Sequence, residues 1–180
     1  MEFTHVRLRL REMIYCEFNY NEHFSANSLM LRCAGVGTFP VFSGLGAFMN
    51  ISEYSGHRNG PIPLGKYWIV DRPMGGIGSM ERMVEKWFKT GNRYWEWFAL
   101  YRQDGLIDDR TFVDGVMRGN FRLHPLRPDG SGVSDGCITF RNQADFDQLR
   151  QALLKTTTQV LPHSKIKAYG ELSVIGMRRA

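Results

Sequence analysis

Met13-Ile14-Tyr15-Cys16-Glu17-Phe18-Asn19-Tyr20 sets Ile14, Cys16 and Phe18 against Tyr15, Glu17 and Asn19. A period of two is the signature of a half-buried strand. Residues 29–34 and 38–42 are two further apolar-rich runs, and Gly35 and Gly37 between them predict a hairpin. A glycine-rich loop with one short apolar piece at 47–51 follows. Then Gly60-Pro61-Ile62-Pro63-Leu64-Gly65 predicts a rigid turn feeding a strand at 66–71, because proline fixes φ. Residues 94–102 (YWEWFALYR) read as an aromatic-rich strand, 121–124 and 137–140 as short strands around a turn-rich loop, and 167–175 as the last strand. Two segments read as helices. In 79–90, Ser79 is the N-cap, Met80, Met83, Val84, Trp87 and Phe88 form the stripe, and Gly91 is the stop. In 142–154, Phe146, Leu149, Leu153 and Leu154 share a face. Strands outnumber helices. The expected fold is mainly β, a barrel or sandwich with two packed or peripheral helices.

The 180 residues suit one domain with a sizeable core, taken as 13–180 behind an N-terminal extension at 1–12. Apolar residues make up 43% and charged residues 23%, an ordinary globular balance that excludes a disordered chain. Nothing approaches the length of a membrane span, so no membrane insertion is expected. Residues 3–12 alternate charge with Leu and Val instead of forming an apolar block, so the expectation is cytoplasmic production without a signal peptide. The net charge of +5 raises nucleic acid as a partner, but the basic residues are scattered, and a carboxylate-rich cell-wall peptide suits the charge equally.

Three cysteines, Cys16, Cys33 and Cys137, leave at least one thiol unpaired by the others. Cys16 and Cys33 lie in apolar strands, where a buried inert thiol is the commoner reading. Cys137 stands directly after Ser134-Asp135-Gly136, at a turn where its sulfur can face a cleft. Gly136 permits close backbone approach, so amides near Gly136 and Cys137 can address a developing oxyanion. His124, ending the preceding strand, returns beside Cys137 if the two strands pair. A neighbouring imidazole is what a thiol of pKa about 8.5 needs to act at neutral pH. Arg118, Arg122, Arg127 and Arg141 bracket this segment. Arg122, two residues before His124 and so on its face of the strand, is the leading candidate for a substrate carboxylate, with Arg127 and Arg141 behind it. Asp135 reads either as an orienting group or as an ordinary Asp-Gly turn residue. Trp95, Trp97, Phe98 and Tyr101 read first as packing. Gly75-Gly76-Ile77-Gly78 lacks the Lys-Ser/Thr of a phosphate loop, and reads instead as a hinge for the helix at 79–90. The five histidines show no metal-ligand spacing, so no metal or other cofactor is expected.

The segment from His124 to Phe140 resembles the signature of L,D-transpeptidases (YkuD-type domains), where a histidine precedes Ser/Thr-His-Gly-Cys. His124, Ser134, Gly136 and Cys137 match it, and Gly60-Pro61-Ile62-Pro63-Leu64-Gly65-Lys66-Tyr67 matches the Gly-Pro-x-Pro-x-Gly-x-Tyr turn of such domains. The resemblance spans most of 30–141, and is strongest to the type VI secretion L,D-transpeptidase effectors. It implies a Cys137 acyl-enzyme acting on peptidoglycan stem peptides, a toxin delivered to a rival's periplasm by the type VI secretion apparatus, and a cognate immunity protein. Asp135 stands where the usual histidine is, His124 and Cys137 are thirteen positions apart, and the usual Asn or Arg is displaced to Arg141 and Asn142. Those departures favour stem-peptide trimming (L,D-carboxypeptidase) or D-amino acid exchange over cross-linking. The alternatives are a sortase-like enzyme, an NlpC- or papain-like peptidase with His163 as base, and a non-catalytic cell-wall-binding module.

Overall fold

The computed structural model describes residues 12–73, 85, 91–127 and 135–176. Of the helix expected at 79–90 only position 85 is described; the rest of it, residues 1–11 of the expected extension, the hinge at Gly75–Gly78 and the Ser134 position lie outside the described residues.

Eleven strands and one α-helix occupy them. The strands are β1 (Ile14–Ser25), β2 (Ser28–Cys33), β3 (Gly37–Ser43), β4 (Gly65–Asp71), β5 (Phe98–Arg102), β6 (Arg110–Val113), β7 (Val116–Gly119), β8 (Arg122–Pro125), β9 (Ile138–Phe140), β10 (Gln159–Val160) and β11 (Lys167–Ile175); α1 is Gln143–Leu154. Hydrogen bonding runs β1-β2-β3-β9-β8-β5-β4-β11, and β11 pairs in turn with β1. The fold is therefore a mainly β, eight-stranded barrel, with β10 added at β11 and β6–β7 as a separate hairpin. Closure leaves no sheet edge within the ring. Two pairings are parallel, β1 with β11 and β8 with β9.

Alternation along the strands sorts the side chains. Phe18, Leu31, Val41, Ile69, Leu100, Leu123, Ile138 and Leu172 point inward and form one core. Helix α1 adds Phe146, Leu149, Ala152 and Leu153 to that core, and Phe146 meets Phe140 edge to face. On the outer face a smaller cluster of Val70, Ala99, Tyr101, Leu161 and Ala168 lies beneath the loops. Among the described residues no helix is long and apolar enough to cross a membrane.

The structure corrects two expectations. Cys16 and Cys33 are not inert thiols: they are opposite partners in the β1–β2 register and form a disulfide. The segment 94–102 is not one strand, because Tyr94–Glu96 makes a 3-10 turn and only Phe98–Arg102 joins the sheet. The disulfide closes a loop between positions 17 apart, which predicts a stability loss of about 3 kcal/mol on its removal. Urea unfolding of the Cys16→Ala/Cys33→Ala variant beside the parent measures this.

The Gly60–Tyr67 turn is braced through its backbone carbonyls. Gly60 O accepts from Arg118 at 3.0 Å, Ile62 O from Tyr20, Pro63 O from Tyr67 at 2.7 Å and Leu64 O from Arg102 at 2.8 Å. Two prolines cannot donate, so their neighbours' carbonyls need side-chain partners once buried. Gly60 is required here: a Cβ would lie 1.8 Å from Tyr54 O.

Candidate active site

Strands β8 and β9 run parallel with Leu123 opposite Ile138 and His124 opposite Thr139. Leu123 and Ile138 enter the core, so the residues either side of them face outward. Arg122, His124 and Thr139 thus share the outer face, and Cys137, one residue before Ile138, joins them. Cys137 and His124 are diagonal neighbours across the β8–β9 pair. All four are buried.

His124 is fixed on two sides. Its Nδ1 lies 2.8 Å from Pro125 O, so Nδ1 carries the proton and Nε2 keeps the lone pair. The Thr139 hydroxyl is 3.4 Å from that Nε2. Trp97 stacks on the ring at 4.2 Å between centroids and 17° between planes. Burial pushes the imidazole down to about 4 against the help of the Pro125 carbonyl, and Arg127, Arg72 and Arg122 add positive field.

The Cys137 sulfur lies 3.7 Å from Asn120 O. Burial pushes the thiol up to about 11, while the Arg122 backbone N–H and guanidinium oppose that rise. Resting Cys137 and His124 are therefore both neutral at pH 7.

Two arginines organise the surroundings. Arg122 grips Asp109 through two parallel bonds of 2.7 and 2.5 Å, a bidentate pair with Arg122 only 8% exposed. Arg118 donates to Ser55 O, to Gly60 O at 3.0 Å and to Asp135 O at 3.2 Å. It therefore ties the Gly60 turn to the residue two before the sulfur. Gly136 answers two demands at once, a φ of +97° and a backbone so close that a Cβ would meet Phe121 at 2.6 Å and Arg118 at 2.7 Å. Asp135 is exposed at a bend. A cleft of about 570 Å³ is lined by Arg58, Asp109, Arg118, Asp135 and Asn120, the residue whose carbonyl contacts the Cys137 sulfur, among others.

The structure thus gathers Cys137, His124, Gly136, Asp135 and Arg122, with Arg127 within electrostatic reach of His124. It does not bring Arg141 to this cluster. That guanidinium lies 4.1 Å from the Phe42 ring centroid and donates to Ser28 Oγ at 3.0 Å and to Asn27 O. Position 139, two after the cysteine, is a threonine turned to His124. His163 is exposed in the turn after β10, and β11 beside it is four strands from β9 either way round the ring. Sequence reasoning missed Arg72, whose guanidinium stacks on Tyr94 and Trp97 and lies within electrostatic reach of Cys137. It also missed Asp109, Asn120 and Thr139. Asn120 carried one usable signal, since an Asn following Gly119 is suited to the positive φ of 56° found there. Among the described residues no group of three or more His, Cys, Asp or Glu could hold a metal ion.

The family profile of the Tlde1 domain matches residues 37–164, which include the Gly60 turn, both strands of the site and most of the barrel. No curated protein matches the chain.

Proposed function

The chain belongs to the Tlde1 domain family, a family of type VI secretion effectors, and from that premise we propose that it is an antibacterial enzyme attacking peptidoglycan stem peptides through an acyl-Cys137 intermediate. The observation that carries this reading is the parallel β8–β9 pair. It sets a thiol and an imidazole with a committed Nδ1 on one outer face, beside a cleft lined by arginine and asparagine.

The reaction begins with a stem-peptide carbonyl carbon at the Cys137 sulfur. The S–C bond forms as the thiol proton passes to Nε2 of His124, and the carbonyl oxygen takes up the negative charge. Backbone N–H groups at the Gly136–Cys137 turn receive that oxyanion. The tetrahedral adduct then breaks its C–N bond, and His124 returns the proton to the leaving D-amino acid. A thioester remains. Water or a second amine attacks it, giving a trimmed or an exchanged stem peptide and restoring the thiol. Arg122, positioned by Asp109, and Arg127 supply positive charge for the substrate carboxylates. The disulfide supports action in an oxidising compartment such as a target cell's periplasm. The type VI apparatus and an immunity protein are the partners this reading requires.

Incubating the purified protein with muropeptides and reading the products by mass spectrometry tests the proposal. The expected result is loss or replacement of the terminal D-amino acid, with no product from Cys137→Ala. Unchanged muropeptides, or turnover by a folded Cys137→Ala protein, would end it.

A further inference from the structure

A second cavity, of about 450 Å³, opens on the other side of Arg72. Its volume is within the range that holds a small ligand. Trp95, Tyr101 and Ile166 give it apolar surface, and Arg72, Lys165 and Lys167 give it three cations. Asp71 is the one carboxylate in its lining, and that group already accepts the Tyr169 hydroxyl at 2.9 and 3.0 Å. The net charge of the lining is therefore positive, with both lysines exposed and Trp95 40% exposed.

This groove is joined to the thiol by shared residues. Arg72 lines it and reaches electrostatically to Cys137 and Arg122. Tyr101 lines it and feels Asp109 and Arg122 in the same way. The 3-10 turn Tyr94–Glu96 separates the two spaces, with Trp95 in the groove wall and Trp97, just after the turn, on the His124 ring. Strand β4, which leads into Arg72, is three strands from β9. At about 4.8 Å per strand that is roughly 14 Å, the length of about four extended residues. A peptide with its reacting carbonyl at Cys137 has the reach to enter the groove.

We propose that the groove lined by Arg72, Trp95, Tyr101, Lys165, Ile166 and Lys167 binds the carboxylate-bearing part of an acidic peptide substrate. The proposal rests on the stem-peptide reading for the substrate's chemistry but assigns the groove independently of turnover. Positive charge selects the carboxylates, and the aromatic wall excludes water from one side of them. Arg72 divides its field between the bound anion and the site.

The test separates the two readings by measuring binding on the Cys137→Ala protein, where no chemistry intervenes. The probes are a stem tetrapeptide with free carboxylates and the same peptide with its carboxyl groups amidated, followed by calorimetry and by Trp fluorescence. The acidic form should bind about tenfold or more tightly than the amidated form. Lys165→Glu/Lys167→Glu should cut that preference several-fold, leaving the share due to Arg72, Arg122 and Arg127, while thermal melting stays at the parent value. Equal binding of the two peptides, or a preference undiminished by the double charge reversal, would overturn the groove assignment. Absence of muropeptide products from the otherwise wild-type protein would instead overturn the enzyme reading.

Discussion

His124→Gln is expected to lower stem-peptide turnover by about 10²–10⁴, the usual contribution of a positioned general base. The thiol is held up to about 11 by burial, so almost none of it is ionised at pH 7, and the imidazole is pushed down to about 4. The proposed reaction therefore starts from a protonated thiol and a neutral imidazole. The proton must leave sulfur as the S–C bond forms, and without Nε2 it has no acceptor. Gln is the better test than Ala because the ring under Trp97 fills space, and His124→Ala adds a packing loss to the chemical one. His163→Ala, in its exposed turn, should cost little. The reverse ranking would favour the peptidase class in which the cysteine precedes its base. The same residue makes the fold acid-sensitive. Unfolded histidine takes a proton near 6.5, whereas buried His124 resists until about 4. The unfolded state therefore binds more protons between those values, and stability falls by about 3 kcal/mol as pH drops from 6.5 through 4. Urea midpoints across that window should fall for the parent and change much less for His124→Gln.

Much of this site was legible locally. A histidine closing one short strand and a cysteine after Asp-Gly opening another are adjacent once the strands pair, and the period of two assigns their face. The barrel's strands at 13–20, 29–34, 38–42, 66–71 and 167–175 also followed from alternation and turn chemistry. What escaped depends on register or on the closed ring. Cys16 and Cys33 become partners only when β1 and β2 pair in one register. Arg72 enters from β4, two strands from β8, and local pattern carries no trace of that. Residues 94–97 misled because aromatic density suits a strand, whereas these rings face His124 and Arg72 from a turn. The β6–β7 hairpin went unread although Asp114-Gly115, with φ of 51° and 79°, is a strong two-residue hairpin signal. Nearness to Cys137 in sequence points to Arg141 as a site residue. Its backbone leaves β9 and its side chain turns to Phe42 and Asn27, on the β2–β3 side.

The largest expected effect is on cells. Assembled cell wall exists outside the cytoplasmic membrane, so catalysis on stem peptides can harm a bacterium only from that side. The disulfide between β1 and β2 is consistent with that side, since disulfides persist in oxidising compartments. A net charge of +5 would favour residence near the carboxylate-rich wall of the proposed target, although salt confines that attraction to about 8 Å. Directing the protein to the periplasm of a Gram-negative host with a Sec signal should therefore stop growth, with swelling or lysis. The form kept in the cytoplasm should be tolerated, and so should the exported Cys137→Ala form, provided immunoblotting shows it at the parent's level. Cys137 makes a weak contact to Asn120 and carries little of the core, so the alanine variant should melt within about 1 kcal/mol of the parent. Toxicity of the cytoplasmic form would place the target inside the cell. Equal toxicity of the exported alanine variant would mean that the damage comes from binding rather than from an acyl-enzyme, and the thiol would lose its assigned role.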